Sequence, residues 1–114
     1  MKFSYLTFDA GDAEQLATWW AELLDWELVV SDPGRSWIAR SPGETSMLFL
    51  PVPEGKSAKN RCHPDIHSAD LDGSVSKALR MGATETARFN EAGDRFVVFQ
   101  DPEGNEFCIV EDVG

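Results

Sequence analysis

The stretch His63-Pro64-Asp65-Ile66-His67-Ser68-Ala69-Asp70 (HPDIHSAD) has a counterpart near the start of the chain, Tyr5-Leu6-Thr7-Phe8-Asp9-Ala10-Gly11-Asp12. Both alternate in polarity, as a half-buried strand does, and both reach an aspartate seven positions after their first residue. Each aspartate then opens a helical pattern. After Asp12, the residues Leu16, Trp19, Trp20, Leu23 and Leu24 fall three and four apart and form one apolar face. Asp12 with Gln15 resembles a capping box, and Asp25 ends the helix. After Asp70, the residues Leu71, Val75, Ala78 and Leu79 form the face, and Gly82 sits where a C-terminal cap belongs.

Three strands follow each helix. In the first half they are predicted at 26–31, 36–40 and 46–51, with turns at Asp32-Pro33-Gly34 and Ser41-Pro42-Gly43. In the second they are predicted at 84–88, 95–100 and 105–110, with a turn at Asp101-Pro102-Glu103-Gly104. The first strands are predicted over 3–9 and 62–68. The order is βαβββ twice, with a repeat of about 58–60 residues, longer than solenoid periods. It implies two halves of one α+β domain spanning 1–114: module one over about 1–52, a polar linker over about 53–61 and module two over about 62–112.

Composition agrees with one globular domain. The chain has 114 residues, 42% of them hydrophobic, with four Trp, seven Phe and one Tyr. Its formal net charge of −10 argues against a polyanion such as nucleic acid, or an anionic membrane, as partner. No apolar run approaches the ~20 residues that span a bilayer. The N-terminal residues lack a signal-peptide layout, and two cysteines are too few for a disulfide framework. The expected setting is the cytoplasm.

The chain resembles the vicinal oxygen chelate superfamily, which includes glyoxalases, bleomycin-resistance proteins and extradiol dioxygenases. The features that carry the resemblance are the helix from Asp12 to Trp20, Pro51-Val52-Pro53-Glu54, Lys59-Asn60-Arg61, His63-Pro64-Asp65, and the ending from Asp101 to Cys108. The resemblance implies two βαβββ modules, curved sheets forming an open cleft, and a homodimer. Metal-dependent members place His or Glu on the first and last strand of each module. Here those positions hold Tyr5, one of Leu48, Phe49 and Leu50, then His63 and Cys108. One standard ligand remains, so no metal and no cofactor are expected.

An atypical metal site needs more. Residues two apart on a strand share a face about 6.7 Å apart, so His63 and His67 stand roughly 13 Å apart, too far to share an ion. His63 with Asp65, or Asp65 with His67, would need help from another strand, and Asp9 is the candidate helper. Without metal, Tyr5, Thr7, Asp9, Trp37, His67 and Cys108 are candidate ligand-binding residues, with His63 and Asp65 as candidate catalytic residues. Trp37 and Phe49 would offer stacking surfaces. Asp9 and Asp65 would suit an acid–base pair, and Cys108 with His63 a thiolate–imidazole pair, although a buried strand cysteine is more often inert. Lys56, Lys59 and Arg61 would attract an anionic ligand or cross a dimer interface.

The function expected is therefore recognition of a small organic molecule, either with metal-independent lyase or isomerase chemistry or as a drug- or metabolite-sequestering protein. A metal-dependent lyase or dioxygenase is the least favoured reading.

Overall fold

A computed structural model of the chain describes residues 1–43, 45–91 and 93–112. The domain predicted over 1–114 includes residues 113 and 114, which lie outside them. The chain forms two compact units, Met1–Gly55 and Lys56–Gly114.

Module one consists of β1 (Tyr5–Ala10), α1 (Ala13–Leu24), β2 (Glu27–Asp32), β3 (Ser36–Arg40) and β4 (Ser46–Pro51). Its sheet runs β1-β4-β3-β2, with β1 and β4 parallel and the other neighbours antiparallel. Module two repeats this with β5 (Asp65–Ser68), α2 (Leu71–Arg80), β6 (Thr84–Glu91), β7 (Asp94–Gln100) and β8 (Glu106–Glu111), in the order β5-β8-β7-β6. Only β5 and β8 are parallel there. The fold is thus α+β, made of two βαβββ modules, each with a four-stranded mixed sheet.

Both helices begin as the sequence predicts. The Asp12 carboxylate accepts the Gln15 N–H at 3.0 Å, and the Asp70 carboxylate accepts the Gly73 N–H at 3.0 Å. Each satisfies a backbone donor that the first turn leaves without a partner. The ends differ in chemistry. Gly82 follows α2 with φ of 93°, where a residue without Cβ meets no strain. Asp25 takes the left-handed conformation after α1 with φ of 55°, one of the few non-glycine types that tolerates it.

Each sheet buries one face under its helix. In module one, Phe8 pairs with Phe49 and Trp37 with Phe49, so all three share the face that α1 covers. Phe8 stacks on Phe49 at 5.6 Å and meets Trp20 of α1 at 6.2 Å. In module two, Val97, Phe99, Phe107 and Ile109 are all but inaccessible, on the side where α2 packs against β8. Among the described residues, no helix is long and apolar enough to cross a membrane.

Two strands depart from the predicted bounds by three residues, and the others by two or fewer. The strand predicted over 62–68 begins only at Asp65, because the chain bends at Arg61 and Cys62 before Pro64. The strand predicted over 84–88 continues to Glu91, where Phe89 stacks on its cross-strand partner Phe96 at 4.7 Å. Such a pair stabilises the end of a hairpin.

Candidate functional site

Pairing of β5 with β8 builds the candidate site. Asp65 pairs with Cys108, Ile66 with Ile109 and His67 with Val110. Ile109 belongs to the covered face, so Asp65, His67 and Cys108 belong to the open one. Next to them β7 contributes Val98, opposite Cys108, and Phe96, opposite Val110. Val98, Phe96 and Val110 are half-buried, whereas Asp65 and His67 are exposed. The open face is therefore an apolar floor with polar groups along its β5 edge.

His63 lies just outside the strand, yet its Nδ1 comes within 3.6 Å of Asp65 Oδ1, and both side chains are about half exposed. The Cys108 sulfur lies within 4.8 Å of the same carboxylate. One potential ligand atom from each of His63, Asp65 and Cys108 falls in a cluster with no separation above 4.8 Å. Among the described residues, this is the group of His, Cys, Asp and Glu gathered closely enough to hold an ion. Asp9, the predicted helper, is not part of it, and neither is His67; Cys108 is the residue that joins His63 and Asp65.

Burial pushes the Cys108 thiol above its ordinary range, and the charge of Asp65 together with a hydrogen bond to it pushes in the same direction. A carboxylate stabilises the thiol as a donor and opposes a neighbouring thiolate. The expected thiolate–imidazole nucleophile is thus disfavoured in the metal-free protein, because reactivity needs the thiolate.

His63 is positioned by the segment before it. Glu106, the first residue of β8, accepts the Asn60 N–H at 2.9 Å through Oε2 and the Lys56 ammonium at 3.2 Å through Oε1. Lys56 also donates to the Ala58 carbonyl. The Asn60 side chain donates to Asn105 Oδ1 at 3.3 Å, and the Cys108 N–H donates to the Pro64 carbonyl at 2.9 Å. The chain is thus tied to β8 on both sides of His63. Of the predicted basic cluster, Lys56 is engaged in this tether, which leaves Lys59 and Arg61 as its exposed cations.

Burial alone would raise the Glu106 carboxyl, but the Asn60 N–H, its own backbone N–H and the Lys56 ammonium outweigh it and hold it below the usual range. Its folded value lies below its unfolded one. The stability it contributes is present above the unfolded carboxylate value of about 4.3 and is lost as pH falls through the folded value. Glu106→Gln should cost about 1–2 kcal/mol at pH 7, the scale of charge-assisted hydrogen bonds. Urea unfolding at pH 7 and pH 3 would show the difference from wild type shrinking at the lower pH; an equal difference at both would refute the role of the charge.

In module one, Tyr5, Thr7 and Asp9 lie on the open face of β1 and are exposed, as the alternation predicts. Trp37 does not join them. Its pairing with Phe49 turns it to the α1 side, where it is 8% exposed, and Phe49 is fully buried. Neither offers the predicted stacking surface. Thr7 pairs with Leu48 as Asp65 pairs with Cys108, so Leu48 is the counterpart of Cys108. The four positions at which metal-dependent relatives are expected to place ligands are therefore Tyr5, Leu48, His63 and Cys108. Leu48 has no donor atom, so the chain does not fit that four-ligand set.

A cavity on the α2 side of module two, lined by Leu71, Val75, Arg88 and Arg95 among others, is less suited to a charged ligand. Arg88 is paired with Glu85, and Arg95 with Asp72 and Glu111.

Residues 5–110 match the family model of a Glyoxalase-like domain, and the chain belongs to that family. A glyoxalase/bleomycin resistance protein/dioxygenase family enzyme from Burkholderia phytofirmans superposes with a TM-score of 0.82 at 17% identity, covering 97% of this chain and 98% of that one. The genomically encoded fosfomycin resistance protein of Listeria monocytogenes, complexed with Mn(II) and dihydroxypropylphosphonic acid, gives 0.80 at 11% identity, over 95% and 87%. An antibiotic-binding protein from a Streptomyces species gives 0.72 at 18% identity, over 97% and 95%. These likenesses establish the fold. No curated protein matches the chain with significant similarity.

Proposed function

We propose that the protein binds a small organic molecule on the open face of the module-two sheet, with the apolar part of the ligand over Val98, Phe96 and Val110 and its polar group at His63 and Asp65. The observation that carries this is the composition of that face, an apolar floor edged by a few convergent polar groups, which is the usual make-up of a small-molecule site. Two structural relatives support the ligand class: one is described as antibiotic-binding and one is complexed with a small phosphonic acid. The cytoplasmic setting and the homodimer expected from the sequence go with this reading.

Turnover is the second reading, and the His63–Asp65 approach of 3.6 Å favours it. A carboxylate at this distance would orient the imidazole, so His63 would accept a proton from an acidic carbon and return it elsewhere, as an isomerase or lyase requires.

A thermal-shift screen of metabolites and antibiotics tests the binding reading, since a ligand of the native state raises the apparent Tm. For a hit, His63→Ala should weaken affinity by about tenfold, the scale of one lost hydrogen bond to the ligand. The Tm without ligand should change little, because His63 is half exposed. Unchanged affinity in His63→Ala would move the site elsewhere.

A further inference from the structure

We propose that His63, Asp65 and Cys108 form a three-ligand site for a soft divalent cation, with Zn²⁺ as the best-matched ion, built entirely within module two. The set shares His63 and Cys108 with the four-position arrangement excluded above and departs from it in the other ligands. It needs no ligand from module one, and it uses Asp65, which is outside that arrangement.

Three independent features make the cluster a fit. The first is donor chemistry: one imidazole nitrogen, one carboxylate oxygen and one sulfur are all established zinc ligands, and the sulfur favours a softer metal over Mg²⁺ or Mn²⁺. The second is spacing. Zinc bonds of 2.0–2.3 Å in a tetrahedron put neighbouring ligand atoms about 3.3–3.8 Å apart. His63 Nδ1 and Asp65 Oδ1 already stand at 3.6 Å, and no pair in the cluster exceeds 4.8 Å. The third is mobility of the right parts. Cys108 is buried and fixed by the β5–β8 ladder, whereas the His63 and Asp65 side chains are half exposed and can close the remaining distance by rotation. Three protein ligands would leave the fourth zinc position open, the layout of sites that take an exchangeable water or a ligand oxygen.

Binding is written as an exchange. The metal forms a bond to Cys108 sulfur, the S–H bond breaks, and the proton leaves to solvent. No redox change occurs. Because His63 and Asp65 are engaged by the ion, metal binding and metal-free proton transfer by His63 are mutually exclusive states of one site. The proposal does not depend on the small-molecule reading: metal can bind without an organic ligand, and an organic ligand can bind chelator-treated protein.

The full-length protein, stripped with chelator under reducing conditions, would be titrated with Co²⁺ as a spectroscopic probe and with Zn²⁺ by calorimetry. The expected result is one metal per chain, a near-ultraviolet thiolate-to-cobalt charge-transfer band and visible bands of tetrahedral intensity. Cys108→Ser should remove the charge-transfer band. His63→Ala and Asp65→Asn should each weaken Zn²⁺ binding at least about tenfold, since even losses beyond the first ligand layer cost that much. Cys62→Ser is the control, because Cys62 is an exposed thiol next to His63, and it should leave the band in place. Absence of a charge-transfer band, its loss in Cys62→Ser, or Zn²⁺ affinity unchanged in Asp65→Asn would each overturn the proposal. Circular dichroism of Cys108→Ser separates loss of a ligand from loss of the fold.

Discussion

Trp20→Ala should cost about 3–5 kcal/mol of stability, the range for removing a buried large aromatic. Trp20 is wholly inaccessible and lies on α1, where it meets Phe8 at 6.2 Å and Trp19 edge-on at 5.3 Å. Phe8 in turn stacks on Phe49 of β4. The indole therefore joins the helix to β1 and, through Phe8, to β4, and its loss leaves a cavity that these rings cannot fill without moving the helix. Domains of this size have roughly 5–15 kcal/mol in total, so the variant would stand near the edge of folding. Trp20→Phe, which keeps much of the volume, should lose roughly 1–2 kcal/mol. Phe3→Ala should stay within about 0.5 kcal/mol, because Phe3 is 67% exposed. Urea unfolding gives the three values; a Trp20→Ala loss below that of Trp20→Phe would show that the helix–sheet contact is not where the stability of module one resides.

The fold was readable because its signals are local and occur twice. Asp12 and Asp70 cap helices within a few residues of themselves, and the alternation of β1 names its open face without reference to any partner. Trp37 fails for the opposite reason. In Ser36-Trp37-Ile38-Ala39-Arg40 both Trp37 and Ile38 are apolar and both are buried, so alternation cannot assign the faces. Only the cross-strand pairing of Trp37 with Phe49 does so. The site was half legible. His63 and Asp65 stand two residues apart and were visible as a pair. Cys108 joins them through parallel pairing of strands that are distant in sequence, and no local pattern encodes which residue of β8 lies opposite Asp65. The linker's polarity is visible in the sequence, but its partners are not. Part of that polarity, at Lys56 and Asn60, is satisfied internally by Glu106 and Asn105, while Lys59 and Arg61 stay exposed.

That internal satisfaction makes Asp101 a second position of large effect, and Asp101→Ala should cost about 2–4 kcal/mol. Asp101 is 4% exposed, at the turn between β7 and β8. Its Oδ1 accepts the Glu103 N–H at 2.9 Å, the Asn105 N–H at 2.9 Å and the Asn105 side-chain amide at 3.2 Å, and Oδ2 accepts that amide at 3.0 Å. Alanine removes the acceptor and leaves these donors in a place that water reaches poorly, which costs more than the bonds themselves contributed. Gly104, with φ of 86°, lets the chain turn back within reach of the carboxylate. The consequence extends to the site. Asn105 holds the Asn60 side chain, and the neighbouring Glu106 holds the Asn60 backbone, so loosening this turn loosens the segment that carries His63. Asp101→Ala should therefore weaken binding at His63 as well as stability, without touching a ligand. Asp101→Asn retains one acceptor oxygen and should fall between wild type and alanine in both respects. Denaturant unfolding with parallel ligand or Zn²⁺ titration separates the two effects. A variant that loses stability but keeps full affinity at temperatures where it remains folded would show that His63 is held by the strand alone.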